Sequence, residues 1–458
     1  MNKTTLFIIL GFLALILVIV LVIQLLIKEP VTEESVTDEQ MAEDLIEGDL
    51  EKEKETDNNE EAEKNQDGKE SAPKKPVTKP ENIEAVIVAN NRFALDFYSK
   101  IKEEEENIFF SPYSLSVALA MTYEGARNKT EEEMRNVFYF PKEDSFRRQS
   151  YLSLDSWLTR EETEHELNIA NALWAQKDFP FLQEYFDIIT AYYQGLIENL
   201  DFIKDPEGSR IKINKWVEEK TKEKIKDLIP KGLINNLTRL VLTNAIYFKG
   251  EWVQEFDKKE TKETDFYVTP EKTVKVDMMR RLDEEAEFPY YEKENLQILE
   301  MPYSGEETSM LVLLPKKHNL EEIEKQLTLE NLSTWQDNLE EQEVRVYFPK
   351  FKLETKYLLK EVLMQMGMPS AFTGFADFSG MTGKKDLMID QVIHQAFVEV
   401  DEKGTEAAAA TAVIMLPTAM PEGPIIPVFR ADRPFIFLIQ EKETGSILFM
   451  GRVLNPNL

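Results

Sequence analysis

The sequence predicts an α+β fold, because helix-like patterns come first along the chain and strand-like patterns follow. In residues 83–135, apolar side chains recur every three or four positions, the period of a helix with one buried face. After residue 295, short runs rich in β-branched and aromatic residues are typical of strands. Helices separated from strands along a chain favour an α+β domain.

The first element is an apolar run over residues 6–27, in which Gln24 is the only polar side chain. A helix of this length, at about 1.5 Å per residue, crosses a bilayer core of about 30 Å. The run ends without the small residues of a signal-peptidase site, which favours an uncleaved anchor over a cleaved signal peptide. Lys3 on one side and Glu29 and Glu33 on the other predict a single-pass protein of the cell membrane. Residues 1–5 would then be cytoplasmic and the rest extracellular.

Residues 28–82 form the second segment, with 19 acidic and 8 basic side chains and no aromatic residue. Such a composition cannot bury enough apolar surface to offset the entropy lost on ordering. We therefore expect a disordered acidic tether. A helical spacer built from the Glu/Lys-rich residues 51–55 is the alternative.

Residues 83–458 are expected to form one large domain, because no Pro-, Gly- or Ser-rich break interrupts them before residue 402. The chain carries −31 in total; without the −11 of the tether and the +1 of Lys3, −21 remains on this domain. That balance argues against a nucleic-acid partner. The chain has no cysteine, so outside the cell its stability must come from the size of the core.

Within this domain, the first helix is predicted by one apolar stripe: Val86, Ala89, Phe93, Phe97 and Ile101. Ser111 followed by Pro112 has the pattern of an N-cap with proline at the first helical position. Thr130 and Glu133 have the spacing of a capping box, so another helix should begin at Thr130. Strands are predicted at 296–301, 310–314, 344–348, 397–400, 435–439 and 447–450.

The three histidines, His165, His318 and His394, have no metal-binding spacing, and the chain contains no H-E-x-x-H, Walker or G-x-S-x-G motif. We therefore predict no enzyme activity, no metal and no cofactor. His165 and His318 lie in charged or polar surroundings and are expected to be solvated. His394 follows Val392 and Ile393, which is more typical of a buried core histidine than of a general base.

A segment near the C-terminus, EKGTEAAAATA at 402–412, fits two structures. Its alanines favour a helix. As a strand it has one uncharged face with Thr405, Ala407 and Ala409, and an opposite face that begins with a charge: Glu406, Ala408 and Ala410. Gly404 supplies a backbone pivot at its start. Composition alone favours neither structure.

Five sequence blocks and the 402–408 segment together resemble the serpin family over residues 83–458. EKGTEAA at 402–408 is similar to the hinge of the reactive loop of inhibitory serpins. The blocks are NIFFSPYS at 107–114, LTNAIYFKGEW at 242–252, ADFSGM at 376–381, FRADRPFIF at 429–437 and ILFMGRV at 447–453. The resemblance implies three sheets, about nine helices and an exposed reactive loop at about 402–427.

The resemblance also implies roles for single residues. Four residues match the shutter, a group of side chains under the central sheet: Ser111, Ser114, Asn244 and His394. Their hydrogen bonds can be satisfied in two arrangements, one with the sheet closed and one with the sheet opened for an extra strand. Trp252 matches a residue at the top of that sheet, where the loop first inserts. Lys350 matches a lysine that pairs with Glu402, the first residue of the hinge.

The function implied is suicide inhibition of extracellular serine proteases by a monomer, through a covalent acyl complex and loop insertion. Family spacing places the reactive bond fourteen residues after Gly404, at Thr418-Ala419; bonds 415–416 and 419–420 are the alternatives. The short side chain of Thr418 favours elastase-like or subtilisin-like targets over trypsin-like ones. A non-inhibitory serpin, acting as a carrier, and a membrane-tethered scaffold are the rival functions.

Overall fold

The computed structural model describes residues 79–103, 106–160, 163–405 and 426–458. These residues all belong to one compact unit, Pro76–Leu458. The predicted anchor, most of the predicted tether and the loop from Glu406 to residue 425 lie outside the described residues. In the ranges that are described, no helix combines the length and the apolar character needed to cross a membrane.

Ten α-helices and one short 3-10 helix, Pro369–Phe372, lie in the described part of the chain. The α-helices are α1 Glu84–Ile101, α2 Pro112–Tyr123, α3 Asn128–Phe138, α4 Asp144–Leu158, α5 Gln183–Tyr193, α6 Pro206–Lys220, α7 Leu320–Gln326, α8 Leu329–Asp337, α9 Lys360–Met366 and α10 Ser379–Thr382.

Seventeen strands form three sheets in the same residues. The strands are β1 Ile108–Phe110, β2 Glu166–Gln176, β3 Leu196–Leu200, β4 Leu240–Glu251, β5 Lys262–Thr269, β6 Lys272–Arg281, β7 Glu287–Glu292, β8 Leu296–Pro302, β9 Thr308–Pro315, β10 Glu340–Glu343, β11 Arg345–Pro349, β12 Phe351–Leu358, β13 Val392–Val400, β14 Gly404–Thr405, β15 Val428–Arg430, β16 Phe435–Glu441 and β17 Ser446–Val453.

The three sheets have different sizes and strand orders. The six-stranded sheet runs β12-β13-β14-β4-β2-β3, with an additional direct pairing of β13 with β4. The seven-stranded sheet runs β1-β17-β16-β9-β8-β7-β10, and the four-stranded sheet runs β15-β11-β6-β5. The predicted α+β fold is thereby confirmed, although β1, β2 and β3 lie between the first six helices and α7 to α10 lie among the later strands.

Two of the three helix patterns read from the sequence are found as expected. In α1, Val86, Ala89, Phe93 and Phe97 are buried, and Ile101, the last residue of the predicted stripe, is partly buried. The side chain of Ser111 caps α2 by accepting a hydrogen bond from the backbone N–H of Ser114 at 3.1 Å.

The capping-box prediction at Thr130 is wrong. Helix α3 begins two residues earlier, at Asn128. The Thr130 hydroxyl accepts a hydrogen bond from the backbone N–H of Asp377 at 2.9 Å instead of capping its own helix. A long-range contact has replaced the local one.

Candidate functional site

The centre of the six-stranded sheet contains two parallel neighbours that come from distant parts of the chain. Strand β13 pairs with β4 from Val392 opposite Leu242 to Phe397 opposite Tyr247. We call this pairing the seam. Beyond the Phe397–Tyr247 end of the seam, the short strand β14 lies between β13 and β4. Thr405 is opposite both Val400 of β13 and Gly250 of β4. The sheet is therefore closed along the seam and opened by two residues at one end.

The entry point of β14 requires glycine. Gly404 has φ +156°, a region that residues with a side chain rarely adopt. A Cβ added there would lie 2.1 Å from the carbonyl oxygen of Gly250, a backbone atom that cannot move aside cheaply. The pivot predicted at Gly404 has this physical basis: the loop root passes directly against β4.

The first residue after that glycine is already buried. Thr405 is 0% exposed, and its hydroxyl is 2.8 Å from the hydroxyl of Tyr303. The Tyr303 ring stacks on Trp252, with centroids 4.5 Å apart. Trp252 holds the turn that precedes β14. Its indole N–H donates to Asp401 O (3.1 Å), and its backbone N–H donates to Lys403 O (2.7 Å). Trp252 thus lies at the end of the seam where β14 separates β13 from β4.

Glu402 anchors the same turn from the other side. Lys350 Nζ donates to Glu402 Oε2 at 2.9 Å, and the hydroxyl of Thr261 donates to Oε1 at 2.8 Å. Burial alone would raise the pKa of Glu402, but these donors outweigh it and hold that pKa below its usual value. The Lys350–Glu402 pair, which the resemblance implied, is partly buried, with side chains 33% and 4% exposed. We call Trp252, Tyr303, Lys350, Glu402 and Thr405 the hinge cluster.

A second polar group lies halfway along the seam, behind the sheet. His394 of β13 pairs with Asn244 of β4 in the ladder, and its ring Nδ1 is hydrogen-bonded to Asn244 Oδ1. On its other side, Nε2 accepts from the backbone N–H of Ser111 at 3.1 Å. One donor and one acceptor on the ring specify a neutral imidazole with its proton on Nδ1.

Asn244 connects this histidine to the neighbouring strand and helix. Its side-chain amide donates to Ser114 Oγ and to Asn171 Oδ1 on β2, the latter at 2.5 Å. Ser114 Oγ also donates to Asn171 at 3.4 Å, and Ser111 Oγ donates to Leu448 O of β17 at 2.7 Å. The structure thus brings together the four residues predicted as a shutter and adds Asn171. We call these five residues the shutter cluster.

The environment of His394 excludes general-base chemistry at this position. The side chain is 0% exposed, and burial lowers the pKa of His394 to about 3. Both ring nitrogens already have partners in the protein. A substrate therefore has neither access to the ring nor a free nitrogen to use.

The prediction that His165 is solvated is wrong, whereas His318 is exposed as expected. His165 is 6% exposed and packs on Phe248, with ring centroids 5.7 Å apart. Burial, with a smaller contribution from Arg160, lowers the pKa of His165 to about 4. Its charged neighbours in the sequence point away because the residue directly precedes β2, where alternate side chains face opposite sides.

Two members of the clusters, Asn171 and Tyr303, were not predicted, and neither was Thr261, which donates a hydrogen bond to Glu402. Asn171 carries a usable signal, since it is an amide inside the otherwise apolar stretch 169–175 of a strand. Thr261 and Tyr303 carry none, because their roles arise from partners far away in sequence. Other predicted residues, Glu406, Ala407, Ala408, Ala409, Ala410, Thr418 and Ala419, lie outside the described residues. Within the described ranges, no group of three or more His, Asp or Glu side chains is arranged to hold a metal.

Comparison with known proteins decides the family. Residues 88–456 match the model of the family described as "Serpin (serine protease inhibitor)". The chain belongs to the serpin family. The matched region contains the seam, the hinge cluster and the shutter cluster.

Individual serpins show how far the similarity extends. An uncharacterized serpin-like protein of Thermococcus kodakarensis is 43% identical over 83% of this chain and 88% of its own length. The leukocyte elastase inhibitor of Equus caballus is 40% identical over 82% of this chain and 100% of its own. Among solved structures, Serpin48 of the insect Tenebrio molitor is 35% identical, with a TM-score of 0.72 over 81% of this chain and 98% of its own.

Proposed function

We propose that this serpin inhibits extracellular serine proteases once per molecule, by inserting its cleaved reactive loop into the seam between β13 and β4. The observation that carries the proposal is β14. Two loop residues already lie between the strands at one end, while β13 and β4 pair directly along the rest. Each strand can offer its backbone groups to a new antiparallel neighbour once the seam opens, and serpin loop insertion is an established example of such strand addition.

The proposed reaction begins as ordinary proteolysis. The serine Oγ of the protease attacks the carbonyl carbon of Thr418, and the C–N bond to Ala419 breaks. The amine of Ala419 takes a proton and leaves, and Thr418 stays bound to the protease serine as an ester. Insertion of the freed loop then pulls the protease away from the geometry it needs for hydrolysis. Inhibition results when insertion is faster than attack of water on the ester.

The sequence after Thr405 fits this route. If β14 continues by strand alternation, Ala407 and Ala409 follow Thr405 on the face that becomes buried. Small uncharged side chains enter a closed sheet at little cost, whereas an unpaired buried charge costs several kcal/mol. Glu406 falls on the opposite face, where its charge can remain in water.

The direct test is a denaturing gel of the full-length protein after incubation with elastase. We expect a band at the combined mass that survives SDS, and no such band with elastase whose active-site serine has been inactivated. Complete cleavage without that band would contradict inhibition and would support the carrier or scaffold function.

The second part of the proposal concerns the position of the reactive bond, Thr418-Ala419, and the class of target protease. The 40% identity to a protein named leukocyte elastase inhibitor supports an elastase-like target. Mass spectrometry of the peptide released from the complex should find Ala419 at its N-terminus. Thr418→Arg should shift the preference toward trypsin, because the new cation suits a pocket with a buried acid. A released peptide beginning at Leu416 or Met420 would place the reactive bond at 415–416 or 419–420. It would not contradict inhibition by loop insertion.

We further propose that residues 6–27 anchor the inhibitor in the cell membrane, with the serpin domain outside the cell. The support is the uninterrupted apolar run and its charge flanks. Membrane fractionation followed by N-terminal sequencing tests this location. A mature N-terminus within 28–82 would contradict the anchor and indicate a secreted inhibitor.

A further inference from the structure

Two arginines converge on one tyrosine in the four-stranded sheet. Tyr347 of the central strand β11 lies opposite Arg280 of β6 on one side and opposite Arg430 of β15 on the other. The Arg430 guanidinium carbon is 3.6 Å from the centre of the Tyr347 ring, and that of Arg280 is 5.7 Å away. Both distances lie within the range of cation–π contacts. One aromatic ring thus holds two cations from different strands.

Neither cation is neutralised within the described part of the chain. Arg280 and Arg430 make no ion pair there, whereas their neighbours do: Arg281 Nε lies 3.1 Å from Asp283, and Arg433 pairs with Asp432 at 2.8 Å. A third cation, Arg345, is exposed two residues before Tyr347 and therefore on the same side of β11.

This arrangement is unusual for an acidic protein. Residues 83–458 carry a net charge of −21, so carboxylates to pair with these arginines are abundant along the chain. Two like charges held near one ring repel each other unless an anion joins them. The planar guanidinium presents parallel N–H donors that match a carboxylate, and the tyrosine fixes its orientation. The cluster is therefore prepared for a carboxylate from outside the described residues.

The position of the cluster favours a carboxylate on the protease that binds the loop. Strand β15, which carries Arg430, begins at Val428, nine residues after the predicted Ala419. Nine residues span at most about 30 Å, less than the width of a protease domain. A protease that holds the loop around Thr418-Ala419 must therefore lie over or beside β15 and its neighbour β11.

We propose that Arg280, Tyr347 and Arg430, with Arg345 beside them, form a docking site for an Asp or Glu side chain on the rim of the target protease. This site rests on the proposed inhibitory function and adds a selectivity that the loop sequence does not supply. The net negative charge of the domain repels proteases that are themselves negatively charged. The arginine cluster attracts a carboxylate at one point of this surface. Charges at the rim of an interface act mainly on the association rate.

The test measures the second-order rate constant of complex formation with elastase and with subtilisin, using the full-length protein. Arg280→Gln/Arg430→Gln removes both charges, and Arg280→Lys/Arg430→Lys keeps them. The matched control is Arg92→Gln, because Arg92 also lies over a tyrosine, 5.6 Å from the Tyr139 ring centre, but on α1. Salt from 0.05 to 1 M separates charge from packing, since the Debye length falls to about 3 Å at 1 M.

We expect the glutamine pair to slow complex formation about tenfold at low salt with at least one protease, and the difference to vanish at 1 M. The lysine pair should recover most of the rate, the control should stay within about twofold, and the final yield of covalent complex should be unchanged. Equal rates for wild type and the glutamine pair with both proteases would overturn the docking site, as would a loss that persists at 1 M. Absence of covalent complex from the wild type would instead contradict the proposed function itself.

Discussion

The hinge cluster and the shutter cluster lie on the same seam but hold it in different ways. At the hinge, β14 already separates the ends of β13 and β4, and the contacts fasten the loop root: Glu402 to Lys350, Thr405 to Tyr303. At the shutter, no strand lies between β13 and β4, and His394 and Asn244 bond directly to each other across the pairing.

The difference indicates an order of events. The proposed insertion would have a prepared starting point at the hinge, where two positions are filled. It would meet resistance at the shutter, where a buried, hydrogen-bonded group would have to give up its partners. Polar groups that are buried and satisfied cost little, but the same groups left unpaired cost about 1–3 kcal/mol each. In the proposed mechanism, the shutter cluster would therefore set the barrier to insertion, and the hinge cluster would set the end of the seam at which insertion begins.

The largest effect is expected from a charge placed just beyond β14. Ala407→Arg should leave the protein folded and cleavable but abolish the covalent complex, because strand alternation would put this side chain on the face that becomes buried if the loop inserts. Thr405 is less suited to the test, since it is buried before cleavage and its replacement would also disturb the intact protein.

The matched control for that variant is the adjacent residue, Glu406→Arg, which alternation places on the opposite face. Gel quantification after reaction with elastase should show near-normal complex from Glu406→Arg and only cleaved protein from Ala407→Arg. Equal complex from both variants would contradict insertion in this register.

At the shutter, His394→Ala should lower the free energy of unfolding of the intact protein by about 3–5 kcal/mol. The change leaves a cavity and removes the partners of the Ser111 N–H and the Asn244 side chain. Urea unfolding measures the loss. His318→Ala, which removes an exposed imidazole, should change stability by less than about 0.5 kcal/mol. A similar small change at His394 would show that the cluster does not hold the seam closed.

Acidification should weaken the intact fold through the two buried histidines. Their pKa values, about 3 for His394 and about 4 for His165, lie below the value near 6.5 expected when unfolded. Below pH 6.5 the unfolded chain therefore binds protons that the native protein does not, and stability falls as pH falls. Each histidine contributes up to about 1.4 kcal/mol per pH unit.

His165→Leu isolates one of these two contributions. Between pH 6 and pH 5, its unfolding free energy should fall less steeply than that of the wild type, by the equivalent of about one proton. Parallel pH profiles for variant and wild type would contradict the burial of a neutral imidazole at position 165.

A smaller effect is expected at the loop root. Lys350→Gln removes the charged partner of Glu402 but leaves the Thr261 hydroxyl in place, so we expect a loss of about 1–2 kcal/mol. Thermal unfolding of the intact protein measures it, with Lys272→Gln on the exposed part of β6 as control. If Lys350→Gln loses no more stability than the control, the Lys350–Glu402 pair does not help to hold β14, and Gly404 and Thr405 hold it without that pair.

Much of this arrangement was readable in the sequence, and the failures share one cause. Local patterns predicted the stripe of α1 and the cap at Ser111, because both depend on residues within one or two turns. Thr130 and His165 were misjudged because their partners, Asp377 and Phe248, are distant in the chain. Tyr303 was missed for the same reason, because a ring stack between distant residues leaves no local spacing. Asn171 was visible in the sequence only as an amide inside an apolar stretch, which does not identify its partners.

The resemblance supplied what local patterns did not. It paired Lys350 with Glu402 and placed Ser111, Ser114, Asn244 and His394 together, and the structure has these contacts. It did not supply the convergence of Arg280 and Arg430 on Tyr347, which follows from the register of three particular strands.

Loop insertion is tested most directly by comparing the thermal unfolding of the intact protein with that of protein nicked once in the loop. Insertion would add a strand with about ten backbone hydrogen bonds, each contributing roughly 1 kcal/mol. We expect the nicked form to melt more than about 10 °C above the intact form. A nicked form that melts at or below the intact temperature would contradict loop insertion into the seam, and with it the proposed mechanism of inhibition.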